Sequence, residues 1–135
     1  MINMRGFVPY STEEGRVQPW EYLPCSAITP KIGMALVQSS GNLAIATGTT
    51  KPTYICMTER ASAVSAGDII PVIRVDHDIV FETEFSASAS SIKLGDKVTL
   101  HASDGMSVTA TTSSGVAEIV YMDGTASGSM CRVRF

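Results

Sequence analysis

Charge is scarce in this sequence, and its sign does not favour a polyanionic partner. Charged residues make up 17% of the 135 residues, and 10 lysines and arginines against 13 aspartates and glutamates give a formal net charge of −3. We therefore expect no nucleic-acid partner and no binding to anionic lipid. With 44% hydrophobic residues, the composition is typical of one globular domain and not of a disordered chain.

Long hydrophobic runs and cysteines are also few. The densest apolar run, residues 69–73, is short and is interrupted by Pro71, so no membrane-spanning helix is expected. The amino terminus lacks the apolar core of a signal peptide, which argues against export. Cys25, Cys56 and Cys131 are odd in number and far apart, which favours buried, reduced thiols over a disulfide framework or a zinc site.

Residues 1–24 are interpreted as an extended amino-terminal arm. They contain a density of glycine and proline that neither a helix nor a regular strand accepts. The arm also carries four aromatic residues that a solvated tail would not need: Phe7, Tyr10, Trp20 and Tyr22. These four are the candidate partner-binding residues, and the alternative is that they fold back onto their own domain.

Residues 25–135 are predicted to form a single β-rich domain. Short apolar stretches separated by glycine turns are typical of an all-β fold, here a small barrel or sandwich of short antiparallel strands. Little helix is expected beyond a turn or two in residues 58–66. Three hairpins are predicted, which pair residues 34–37 with 43–47, 98–101 with 106–111, and 117–122 with 130–135.

Two hairpin units, residues 31–47 and 93–111, resemble each other. Lys31-Ile32-Gly33 before the first hairpin corresponds to Lys93-Leu94-Gly95 before the second. This similarity indicates an internal duplication. The alternative is that glycine followed by alternating apolar residues recurs in any β protein.

Residues 73–85 alternate over their whole length and are predicted to form one long, half-buried strand. In this strand Asp76, Asp78, Glu82 and Glu84 would lie on one face, and His77 would lie on the other. That separation argues against a metal or catalytic site at Asp76-His77-Asp78. The role of the acidic face is left open.

No catalytic residue, cofactor or metal site is assigned from the sequence, and the protein is not expected to be an enzyme. The two histidines have no recognisable nucleophile partner, and no nucleophile-elbow motif is present. An enzyme that uses His77 or His101 is kept as the least favoured of three hypotheses.

Residues 28–85 resemble the head decoration proteins of lambda-type tailed phages. The resemblance rests on Ile28-Thr29-Pro30, a strand that ends in Leu36-Val37, the polar turn 38–42, Gly48-Thr49-Thr50 and a later strand rich in aromatic and acidic residues. Pro52 and Tyr54 depart from the small residues that the family prefers there, and residues 86–135 lie beyond the matched region.

The resemblance implies a virion structural protein made in the bacterial cytoplasm and located on the capsid exterior. It implies binding to the major capsid protein, homo-oligomers with a trimer favoured, and an arm that clamps neighbouring capsid subunits. The alternative function is a non-catalytic, carbohydrate-binding β module of a phage tail or fibre. That alternative predicts an exposed aromatic platform on the domain itself.

Overall fold

The computed structural model describes residues 6–12, 15 and 17–135, and the other residues of the predicted arm lie outside it. Within the described residues, ten β-strands form two antiparallel sheets of five strands each, so the predicted all-β fold is confirmed. The strands are β1 (Val8–Ser11), β2 (Trp20–Pro24), β3 (Ala35–Ser39), β4 (Asn42–Ile45), β5 (Tyr54–Cys56), β6 (Ile69–Arg74), β7 (Val80–Glu84), β8 (Lys97–Val98), β9 (Ala117–Met122) and β10 (Met130–Arg134).

The first sheet has the order β2-β6-β5-β3-β4 and curls until its two edges meet. Cys25, directly after β2, forms a parallel bridge to Leu43 in β4. The Ser26 N–H donates to the Leu43 carbonyl oxygen at 2.8 Å. Residues 20–74 therefore form a small, barrel-like unit, which we call unit one.

The second sheet has the order β1-β7-β10-β9-β8 and closes in the same manner. Leu100, after β8, bridges Val108 in the antiparallel sense, and Val108 bridges Phe85 in the parallel sense. The Ser86 N–H donates to the Val108 carbonyl oxygen at 2.8 Å, as Ser26 does to Leu43. We call residues 80–135 unit two, with β1 added along the outer edge of β7.

The two units share strand order and register. Tyr22 lies opposite Pro71 between β2 and β6, and Glu82 lies opposite Arg132 between β7 and β10. The pairs Ala35–Ile55 and Lys97–Glu118 correspond in the same way, as do Cys56–Val72 and Ile119–Val133. The common ancestry of residues 31–47 and 93–111 stays a prediction; what is observed is equivalent strand pairing.

Two hydrophobic cores follow from this arrangement. The smaller core fills the interior of unit one with residues such as Leu36, Leu43 and Val72. The larger core fills unit two and also takes in one outer face of unit one, through Ala35, Ile55 and Ile73. One face of the unit-one sheet thus packs inside its own barrel, while the other packs in the core that it shares with unit two.

The single strand predicted over residues 73–85 is wrong. β6 ends at Arg74 and β7 begins at Val80, and the two strands belong to different sheets. Between them the chain turns, with the Ile79 N–H donating to the Asp76 carbonyl oxygen at 3.1 Å. The acidic residues therefore do not share one strand face.

Some of the other local predictions are confirmed and others are not. The first and third hairpins are confirmed as β3–β4 and β9–β10. The second is irregular, held by bonds such as His101 N–H to the Ser107 carbonyl oxygen at 2.9 Å. Residues 58–66 form bends and coil, not a helical turn, and the described residues contain no helix long and apolar enough to cross a membrane. All three cysteines are buried as free thiols.

Candidate partner-binding surface

The described residues of the predicted arm lie against both units. β1 is an edge strand on β7, and β2 belongs to the sheet of unit one. Three of the four candidate aromatic residues are exposed on these strands: Tyr10 is 54% exposed, Trp20 51% and Tyr22 64%. They are therefore held on the surface by strand pairing, as a rigid pattern.

Phe7, the fourth candidate, is buried and is not available to a partner. It is fully buried in the larger core, with its ring 5.3 Å from that of Phe135. Its N–H donates to the Gly33 carbonyl oxygen at 2.8 Å, and the Gly6 N–H donates to the Met106 carbonyl oxygen at 3.0 Å. Because these contacts are internal, Phe7 fastens the arm to its own domain.

An aromatic-arginine stack covers the outer face of unit two. The Arg132 guanidinium lies 3.7 Å from the ring centre of Tyr10 and 4.5 Å from that of Tyr121. Its Nε donates to Glu82 Oε2 at 3.1 Å. The stack spans four neighbouring strands and holds two exposed tyrosine rings in fixed positions by cation–π contact and an ion pair.

Sequence reasoning did not identify Arg132 or Tyr121. One local signal was available, since Cys131 and Val133 are buried and period-two alternation turns Arg132 outward. The stacking partners come from β1 and β9, which pairing alone brings to the two sides of Arg132.

Trp20 and Tyr22 form the second exposed aromatic group. They stand two residues apart on β2 and so share one face of the strand. Beside them Ile69, in β6, is 53% exposed. Trp20 and Ile73 also line a mainly apolar pocket of about 230 Å³, to which β1 contributes Pro9.

The opposite face of β2 carries a polar cluster. Arg74 Nε donates to Glu21 Oε2 at 3.1 Å and Nη2 donates to Oε1 at 3.0 Å, while the guanidinium lies 5.0 Å from the Tyr54 ring centre. The hydrogen bond to Glu21 raises the already high pKa of Arg74. The ion pair therefore fixes the start of β2 against the end of β6.

The two histidines lie apart from this surface. His77 is exposed in the turn between β6 and β7, and its Nδ1 is 2.8 Å from the main-chain oxygen of Phe135. His101 Nδ1 is 3.1 Å from Asp104 Oδ1 and 3.3 Å from Ser103 Oγ. Since both partners of His101 meet the same ring nitrogen, they do not form the relay of a nucleophilic triad, which uses both nitrogens.

In the described residues, no group of three or more histidine, cysteine, aspartate or glutamate side chains is placed to hold a metal ion. The comparisons with known proteins add no function: no family model matches the chain, and no curated protein matches it either. The exposed aromatic groups on β1 and β2 are the features of the described residues that carry a functional proposal.

Proposed function

We propose that the protein is a phage virion structural protein, a decoration or cementing protein that binds the major capsid protein on the outside of the head. The observation that carries the proposal is that β1 and β2 each supply an edge strand to one unit, with Tyr10, Trp20 and Tyr22 exposed on those strands. The virion location, like the partner, comes from the sequence resemblance.

The physical case is that of a binding surface prepared in advance. Tyrosine, tryptophan and arginine are the residues that most often dominate protein interfaces. Here strand pairing and the Arg132 stack already order the side chains, so binding costs less conformational entropy. A rigid β scaffold with an aromatic surface suits a protein that stabilises a shell by contact.

The test is co-sedimentation with expanded, empty heads assembled from the capsid protein of the same genome. Deletion of residues 1–24 is unsuitable, because it removes Phe7 from the core and an edge strand from each unit. Trp20→Ala and Tyr22→Ala should instead weaken binding at least about tenfold each, the cost of losing a central interface aromatic.

Leu94→Ala is the matched control, since Leu94 is also 64% exposed but lies in unit two, before β8. It should bind heads like the parent chain. Failure of the parent chain to co-sediment would refute the proposed function, and equal losses for all three variants would refute the assignment of the surface. We expect light scattering to show a trimer, whereas a strict monomer at high concentration would count against the cementing role.

A carbohydrate-binding module of a tail or fibre is the second candidate. It is favoured by one observation: Trp20 does not lie on a free tail but on β2, where it and Tyr22 form an exposed pair on the unit itself. A glycan array would distinguish the two functions, because binding that disappears in Trp20→Ala supports the module and an array without binders removes it.

A further inference from the structure

The equivalent outer edges of the two units differ in one respect. In unit two, β1 covers the outer edge of β7, pairing Val8 with Glu82 and Ser11 with Val80. By the shared register, the corresponding residues of unit one are Tyr22 and Trp20. Among the described residues, no strand pairs with that side of β2 at these two positions.

The main-chain groups of Trp20 and Tyr22 point toward this uncovered side. The Cys25 N–H donates to Asp68, and the Cys25 carbonyl accepts from Gly67, both on the side of β6. Main-chain groups alternate in direction along an antiparallel strand, so Leu23 and Glu21 also face β6. Trp20 and Tyr22 therefore present two N–H and two C=O groups outward.

A proline closes one end of this opening. By the same alternation the Pro24 nitrogen faces outward, so the end of β2 offers no N–H to extend the pairing, and at the other end β2 begins at Trp20. In β1, Pro9 lies opposite Phe81, which places its missing donor on the outer side of that strand. In unit two, β1 covers the edge of β7 and Pro9 removes an N–H from the outer side of β1. In unit one, the outer edge of β2 keeps the N–H groups of Trp20 and Tyr22.

The end of β1 lies close to the open outer edge of β2. Pro9 and Thr12, from β1 and the residue after it, line the pocket that also contains Trp20 and Ile73. In unit two, Tyr10 of β1 lies over Arg132, and in unit one the position of Arg132 is taken by Pro71. A strand added to β2 would therefore contact Pro71 and Tyr22 at the place where β1 contacts the Arg132 guanidinium in unit two.

We propose that the outer edge of β2 at Trp20–Tyr22 is a strand-acceptor site, which takes an extended segment of a partner protein antiparallel to β2 with an uncharged side chain over Pro71. Main-chain hydrogen bonds supply the affinity, and the exposed aromatic pair supplies the selectivity. The identity of the partner as a capsid subunit rests on the proposed function; the site does not.

The probe is a synthetic peptide of residues 6–12, the segment that already fits the equivalent edge, added to the full chain. Its matched control carries an N-methyl group on Val8, which keeps every side chain but removes the donor that faces the acceptor strand. Trp20 is the single tryptophan of the chain, so its fluorescence reports on the site directly.

The parent peptide should give a saturable fluorescence change with a Kd near about 1 mM, as suits a few exposed hydrogen bonds. Amide exchange at Trp20 and Tyr22 should slow about fivefold at about 5 mM peptide, with little change at Glu21, which already bonds to β6. No response up to about 5 mM, or an equal response to the N-methyl peptide, overturns the site.

Two variants separate strand pairing from side-chain docking. Tyr22→Ala keeps the N–H and should weaken peptide binding about threefold to tenfold, whereas Tyr22→Pro removes the N–H and should abolish it. Equal binding by the two, each shown by amide exchange to keep its β6 pairing, contradicts the proposal. Peptide binding without head binding refutes only the proposed function. Head binding that Tyr22→Pro leaves intact refutes only the assignment of a capsid subunit as the partner of this site.

Discussion

The two units place different chemistry at equivalent positions of one scaffold. Where β6 ends in unit one, Glu21 and Arg74 form a bidentate ion pair beside Tyr54. At the corresponding end of unit two, Phe81 and Phe135 pack 5.7 Å apart between ring centres, in contact with Phe7. The difference shows that equivalent strand pairing produces the same architecture with different side chains. At the end of the barrel, the aromatic side chains of unit two are covered by the arm, whereas the ion pair of unit one is open to solvent.

The outer faces of the two units differ in the same way. Ala35, Ile55 and Ile73 are buried in the larger core, and their equivalents Lys97, Glu118 and Arg134 line an open pocket of about 230 Å³. In this cross-strand row Glu118 lies opposite both cationic residues. This outer face is therefore buried against the other unit in unit one, whereas in unit two the equivalent face is a charged surface.

Exchanging the central residues of these faces should give the largest effect. Ile55→Glu buries a carboxylate inside the shared core and should cost more than about 4 kcal/mol, which approaches the whole stability of a domain of this size. The reciprocal change, Glu118→Ile, falls on a partly exposed position and should cost less than about 1 kcal/mol. Urea denaturation compares them, and similar losses would mean that the two faces are not distinguished by burial.

A second pair of variants examines how the arm is fastened. Gly33 and Gly95 precede β3 and β8, with φ of 89° and 93°, and each donates its N–H to a carbonyl of the neighbouring strand, at Cys56 and Ile119. A Cβ at Gly33 would lie 2.9 Å from the Phe7 nitrogen, whereas at Gly95 it would meet nothing within 4 Å. Only Gly33 therefore has a reason beyond conformation to lack a side chain.

Gly95→Ala should cost about 1–2 kcal/mol for the left-handed backbone alone. Gly33→Ala should cost about 3 kcal/mol or more, because the arm must also move away from the loop before β3. Denaturation midpoints give the two costs, and faster amide exchange at Phe7 in Gly33→Ala alone identifies the detached arm. Equal costs would show that the close approach of Phe7 to Gly33 contributes nothing.

Local patterns predicted the turns and most hairpins, since glycine at a tight turn and period-two alternation are properties of neighbouring residues. They did not separate β6 from β7, because alternation continues through the turn at residues 75–79. Closure of the barrels through Cys25–Leu43 and Phe85–Val108 depends on residues 18 and 23 positions apart, which no local pattern specifies.

At the candidate site, too, local sequence predicted some features, and others depend on contacts between residues distant in sequence. Exposure of Tyr10, Trp20 and Tyr22 is consistent with a segment rich in proline, where few residues enter a core. Nothing local distinguished Phe7 from them, since its burial follows from the contacts of Gly6 and Phe7 with Met106 and Gly33. The stack on Arg132 likewise requires Tyr10 of β1, which is distant in sequence from the β9–β10 hairpin that holds Tyr121 and Arg132.

The smallest expected difference between the units is their response to alkaline pH. The interior of unit one contains two thiols, Cys25 and Cys56, where unit two has Phe85 and Ile119, and unit two holds one buried thiol, Cys131, on β10. Burial raises the pKa of both thiols, and at Cys56 a main-chain hydrogen bond with Thr58 that favours the thiolate opposes this rise. In the unfolded chain the thiols ionise near pH 8.5, about where free cysteine does, while the folded unit keeps them protonated.

The folded state then binds more protons than the unfolded state above about pH 8.5, so stability is complete below that pH and declines as pH rises. Each thiol contributes a slope of up to about 1.4 kcal/mol per pH unit until its folded pKa is reached. Urea denaturation between about pH 8.5 and 9.5 should therefore show a shallower decline in Cys56→Ala than in the parent chain. A Phe85→Leu variant changes packing without removing a thiol and should keep the parent slope. Identical slopes in all three chains would mean that the Cys56 thiol does not couple folding to pH.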